Sequence, residues 1–292
     1  NTLLLSTLVL ITTTIFGIPL SYILARYRQK GKTVFTALIL LPIVLPAYAG
    51  VFAFIIFLGK YGTVNLLLMD SGLIDKPLNF IYGFHGLVFI QSLHMLPFIV
   101  LGLSAGFTNI DPSFEEAAEV EGASGFRRFF TITLPLCTPS YLAGAVLVFL
   151  WPFTDWLTPL ILGQVDFLPS VSYINIAYHF TDVHRKYIGI VAVVVSSIVC
   201  IFLFLLARWW VERKKYTGLS KGTTSEGRVI EPGPAVKVGS YVYMCFIAAL
   251  VLLIPIVLGL AAFSRRWVLE PFPTYWTLEN FRVILLETPL LI

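Results

Sequence analysis

Glu116-Ala-Ala-Glu-Val-Glu-Gly122-Ala-Ser-Gly-Phe-Arg-Arg-Phe-Phe-Thr-Ile132-Thr-Leu134-Pro135 is a polar island between two strongly apolar blocks, and the rest of the chain can be placed around it. Asp111 can cap a helix that Pro112 opens, because proline at the first helical position loses no useful N–H. Glu115 and Glu116 then lie near the positive end of the helix dipole. Gly122 can take the left-handed conformation of a sharp helix stop, Ser124 can cap a second short helix, and Pro135 marks where the backbone leaves it. The stretch predicts a short helix–turn–helix outside a membrane, with Ala117 and Ala118 leaving room for a partner surface to come close.

The spacing Glu-Ala-Ala, three residues, Gly, nine residues, Ile, one residue, Leu-Pro resembles the signature loop of ATP-binding-cassette (ABC) importer permeases, the membrane subunits of binding-protein-dependent uptake systems. Every position of that pattern is matched, at Glu116, Ala117, Ala118, Gly122, Ile132, Leu134 and Pro135, with Ala123 beside the glycine. The resemblance implies that this loop, about residues 108–140, is cytoplasmic and inserts a coupling helix into a cleft of an ATPase subunit.

At 58% hydrophobic and 12% charged residues, the 292-residue chain is too apolar to be covered by a water-facing surface of ordinary polarity. The expected class is all-α, a polytopic transmembrane helical bundle. Six blocks are long and apolar enough to span a bilayer, at 2–25, 34–58, 86–107, 141–162, 188–207 and 241–263. Their apolar residues lie all round rather than on one stripe, which a helix in lipid permits and a water-exposed helix does not. The formal charge of +4 is spread through loops and gives nucleic acid binding no support. Cys137, Cys200 and Cys245 lack metal-ligand spacing and are expected to be packing residues. No charged stretch with a small-residue cleavage site precedes the first apolar run, so a cleaved signal peptide is not expected, and Asn1 in place of methionine suggests a chain that has been cut.

Lys and Arg set the orientation. Arg26, Arg28, Lys30 and Lys32 crowd one short loop, which is therefore expected inside the cell. Alternation puts the loop of Arg127 and Arg128 inside as well, together with the basic stretch after Arg208, so that 13 of the 20 basic residues are cytoplasmic. Residues 208–240, rich in Gly, Ser, Thr, Pro and charges, are expected to be a solvated linker.

The resemblance also implies a division of the chain. Residues 1–210 are similar to a five-span permease core, 211–239 to a cytoplasmic linker, and 240–292 to the first span and outer loop of a second, truncated permease repeat, as in fused ferric iron-type and thiamine-type importers. It further implies ABC ATPase subunits and an extracytoplasmic solute-binding protein as partners, the second repeat in the same polypeptide, and contact with membrane lipid.

Asp155 is the one charged residue inside a proposed span, roughly 21 Å into a hydrocarbon core about 30 Å thick. A carboxylate there needs a cavity or a partner, which makes it a candidate for the translocation pathway or for a structural hydrogen bond between helices. Gln91 and His94, three apart on one helix face, are candidates for the same pathway or for interhelical hydrogen bonding. His179, Asp182 and His184 read as a solvated loop rather than a metal site. With no Gly-rich phosphate loop ending in Lys-Ser or Lys-Thr and no hydrolytic motif, the chain is expected to be neither an ATPase nor another enzyme, and to hold no cofactor or metal. ATP and Mg then belong to the partner ATPase. The expectation is a multi-pass permease of a prokaryotic plasma (inner) membrane, working by alternating access on ferric iron, with thiamine, phosphonate or other small anions as alternative substrates. An ATP-independent secondary transporter or channel is the alternative class, and it would call for coupling-ion ligands near the midplane.

Overall fold

The structure, a computed structural model, describes residues 1–179, 182–213 and 229–287, with side chains through 210 in the second range and 285 in the third. It is an all-α bundle. In order come α1 (Thr2–Arg26), α2 (Lys32–Val44), α3 (Ala47–Leu58), α4 (Thr63–Asp70), α5 (Phe84–Thr108), α6 (Pro112–Val120), α7 (Gly125–Arg128), a π turn (Phe129–Thr133), α8 (Leu134–Leu136), α9 (Thr138–Leu150), a 3-10 turn (Trp151–Phe153), α10 (Leu157–Ile161), α11 (Leu168–Ala177), α12 (Val183–Arg213) and α13 (Pro234–Ala262). A short antiparallel pair, β1 (Ser264–Arg266) and β2 (Tyr275–Trp276), and α14 (Glu279–Arg282) follow.

Among the described residues five helices have the length and composition to cross a bilayer, and a sixth if the pair Gly125–Leu136 and Thr138–Phe153, bent by 70°, is taken as one span. Two expected spans are corrected. The block 34–58 is split, because Pro46 has no N–H and forces the preceding Leu45 into an extended conformation (φ −85°, ψ 140°), leaving α2 too short to span and shifting the span to Ala47–Asp70. The block 141–162 breaks at Trp151–Phe153 into α9 and the five-residue α10. The expected linker is helical at both ends, since α12 runs to Arg213 and α13 starts at Pro234; residues 214–228 lie outside the described residues.

The core is a sheaf of α1, α5 and α9. Residues of α1 that are buried fall at Leu5, Val9, Thr13, Gly17, Leu20 and Leu24, a stripe three or four apart that faces α5. A Cβ built on Gly17 would sit 2.5 Å from Ile99 Cγ2, and one on Gly144 2.4 Å from the carbonyl oxygen of Phe98. Small residues at crossings let backbones approach, which is how helices gain packing in lipid, where the hydrophobic effect is spent. Tyr141 and Thr14 hydroxyls hydrogen-bond at 2.9 Å across α1 and α9. Outside the sheaf, α13 packs on α2 and α3, and its Tyr243 hydroxyl donates to Phe16 O at 2.7 Å.

Gly144→Val should lower the stability of the purified protein by about 1–3 kcal/mol, because the clash is with backbone that cannot rotate away. Gly259→Val, where nothing lies within 4 Å, should stay within about 0.5 kcal/mol of wild type. Thermal unfolding in detergent separates the two, and equal midpoints would refute the close crossing.

Candidate coupling site

The polar island folds as its residues dictate. Asp111 caps α6 by accepting the Ser113 N–H at 2.9 Å, and that hydrogen bond holds its carboxyl below the ordinary carboxylate value. Pro112 takes the first helical position. The helix ends in two bonds of a Schellman stop, Gly122 N–H to Glu119 O at 3.0 Å and Ala123 N–H to Ala118 O at 2.9 Å, with Gly122 left-handed at φ 81°. Ser124 occupies the cap position of α7 without making a side-chain capping bond, so its expected role is corrected; Arg128 N–H reaches the Ser124 carbonyl instead. Pro135 does not end the helix either. Helical backbone runs on through Leu136, and the chain turns at Cys137.

Two faces of this loop differ in kind. Outward lie Glu116, Ala117 and the apolar side chains Val120 (89% exposed) and Phe126 (79% exposed), with the Phe126 ring tilted against that of Phe130 at 4.8 Å between centroids. Glu116 and Val120 are one helical turn apart and share a face. Inward lie Ala118 and Glu115, with Ile132 and Leu134 half-buried and Pro135 exposed. Glu119 pairs with Arg128 across the turn, setting the angle between α6 and α7.

Glu115 was not singled out in the sequence beyond its place near the helix dipole, yet it is the residue most deeply engaged. Its Oε1 receives Arg26 Nη2 at 3.0 Å and the Thr133 hydroxyl at 2.8 Å, with the Arg26 and Glu115 side chains 1% and 4% exposed. The signal available in the sequence was the register: Glu115 and Ala118 are three apart, on the face opposite Glu116 and Val120.

Farther along the bundle, Gln91 and Asp155 come together and His94 lies near them. Gln91 Nε2 donates to Asp155 Oδ2 at 3.0 Å, and Asp155 Oδ1 accepts the Thr158 N–H at 3.1 Å, capping the start of α10. One carboxylate oxygen thus holds the start of α10 and the other braces the break in the fourth span against α5. His94 sits one turn from Gln91 with its ring 5.4 Å from that of Trp151. Among the described residues no group of His, Cys, Asp and Glu could hold a metal ion; His179 instead contacts Arg185 at 2.9 Å.

The sequence model for the binding-protein-dependent transport system inner membrane component matches residues 17–216, a range that contains the whole loop. The chain belongs to that family. Its curated relatives include the molybdate/tungstate transport permease WtpB of Pyrococcus furiosus, 30% identical over 73% of this chain and 77% of that protein. The molybdenum transport permease ModB of Haemophilus influenzae is 29% identical over 76% of this chain and 97% of its own. The ferric transport permease FbpB of Actinobacillus pleuropneumoniae is 28% identical over 75% of this chain, but the match takes in only 32% of that longer protein. Among solved structures, a bacterial alginate ABC transporter in complex with its pentasaccharide-bound periplasmic protein shares the fold, at a TM-score of 0.58 and 22% identity over 73% of this chain and 76% of that one. This permease is accordingly a multi-pass membrane component of a transport system.

Within the permease, Gln91→Leu and Asp155→Ala should each lower thermal stability in detergent, by about 1–3 kcal/mol, since each leaves a buried polar partner unmet. The double variant should be no worse than the weaker single. Strict additivity would show that the hydrogen bond does not brace the fourth span.

Proposed function

We propose that this permease carries ferric iron, received from an extracytoplasmic binding protein, across the plasma membrane by alternating access, driven by separate ATPase subunits that receive α6. The exposed knob carries this reading: a soluble surface has little reason to present Val120 and Phe126 to water beside Glu116 and two small alanines, whereas a socket that covers them removes their apolar surface from solvent. On this reading the loop is cytoplasmic, in line with Arg127 and Arg128 within it and with the basic residues Arg26, Arg28, Lys30 and Lys32 at the same end of the bundle. ATP and Mg act on the ATPase, and its closure moves α6 between two states of the bundle. Gln91, His94 and Asp155 border the pathway, with Asp155 held in place by its protein partners.

Ferric iron is favoured by chain layout. Beyond the region matched by the family, this chain continues into another apolar helix, α13. A ModB-sized permease is used up by the match, while the ferric relative has room for further spans. In this reading α13 and the segment after it open a second permease repeat, which completes the pathway with the first.

Val120→Asp and Phe126→Asp together, and Glu116→Lys separately, should leave membrane insertion normal and lower ATPase co-purification and iron uptake about tenfold or more, as expected for central residues of an interface. Proteoliposome uptake with radiolabelled iron, and with molybdate in parallel, reads both halves of the proposal. Full ATPase binding by all variants would remove the coupling role; uptake of molybdate and not iron would reassign the substrate.

A further inference from the structure

The inner face of the loop is built around an ion pair that nothing about docking requires. Arg26 is the last residue of α1, where a cation meets the negative end of the helix dipole, and Glu115 stands in the first turn of α6, where an anion meets the positive end. Their 3.0 Å contact therefore joins two helix termini of opposite polarity. Thr133, at the end of the π turn, adds a third element through its 2.8 Å bond to the same carboxylate oxygen. Rings of Tyr22, Phe107 and Phe129, with Tyr22 edge-on to the other two at 5.5 and 5.3 Å, pack α1, α5 and the π turn together close by.

A buried ion pair is a poor way to gain stability, because the desolvation of two charges offsets most of their attraction, and an apolar pair of the same volume does as well. What it supplies is direction: charge-assisted bonds hold one distance and one angle, whereas apolar side chains slide. We infer that Arg26, Glu115 and Thr133 are positioning residues that clamp the coupling helix to the end of α1, so that displacement of α6 reaches the transmembrane sheaf as a rigid movement. The inference rests on the coupling role proposed for α6. From α1 the movement has two routes. One is α5, packed on α1 along its length and touching it at Gly17. The other is the main chain around Arg26, whose carbonyl accepts the Ile230 N–H at 2.7 Å while Ile230 O accepts from Arg28 N–H at 3.0 Å, leading to α13. Since the clamp and the docking face lie on opposite sides of α6, loosening the clamp leaves the ATPase bound but lets its stroke slip.

The complete transporter, with ATPase and binding protein in proteoliposomes, tests this with three readouts: ATPase co-purification, stimulation of ATP hydrolysis by the loaded binding protein, and substrate taken up per ATP. The paired variant Arg26→Met with Glu115→Leu, apolar and close in volume, should bind the ATPase as wild type does yet lose about tenfold in stimulation and in uptake per ATP, within the range of ordinary coupling energies. Thr133→Val, which leaves the ion pair whole, should lose about two- to fivefold, and Thr133→Ser should restore it. Wild-type stimulation and uptake per ATP in the paired variant and in Thr133→Val would overturn the clamp. Loss of ATPase binding in either would also overturn it, by showing that these residues shape the docking face. Should the wild-type chain itself fail to bind an ATPase, the coupling role would fall first, an outcome separate from failure of the clamp.

Discussion

Three helices cross at a single place, and the bundle depends on it. Phe98 and Ile99 of α5 are approached from one side by Gly17 of α1 and from the other by Gly144 of α9, each so near that a methyl group would collide. In lipid there is no water to drive apolar faces together, so such close contacts, with the hydroxyl bond between Thr14 and Tyr141, carry association. The same geometry explains why motion of one helix cannot stay local. Helices packed this closely move as a unit or change to a different packing.

Irregular backbone interrupts the apolar segments at two places, Leu45–Pro46 and Trp151–Thr154, and each break releases backbone groups from the helical ladder. At the second break a buried carboxylate and an amide take up part of the demand, Asp155 serving the N–H of Thr158 and Gln91 serving Asp155. A charge that looked anomalous in the sequence is thus accounted for by the broken helix around it.

The loop was legible because its signals are local. Asp111, Pro112 and Gly122 act through backbone geometry within a few residues, and the structure shows each acting so. Six apolar blocks were visible for a similar reason, since length and hydropathy alone set them. The helix breaks were not legible, because proline is an ambiguous sign in an apolar run: Pro19, Pro97 and Pro255 sit within continuous helices while Pro46 splits one. Glu115 was hidden by its neighbour. Adjacent helical residues point about 100° apart, so Glu115 and Glu116 have opposite fates, and only the position of a distant arginine decides between them.

The seam between Arg26–Arg28 and Ile230 bears on how such a chain could have been assembled. Besides the two main-chain bonds there, Arg28 pairs with Glu231, Gln29 reaches Ser240, and the Tyr241 hydroxyl donates to the Lys30 carbonyl. With its flank on α2 and α3 as well, α13 is seated by contacts distributed over its length rather than by the peptide bonds that lead to it. On the proposed reading of α13 as the start of a second repeat, covalent fusion at this point is a convenience of stoichiometry. Two separate polypeptides carrying the same faces would find the same seat, so one-gene and two-gene versions of this architecture are physically equivalent and a lineage can pass between them without rebuilding the bundle.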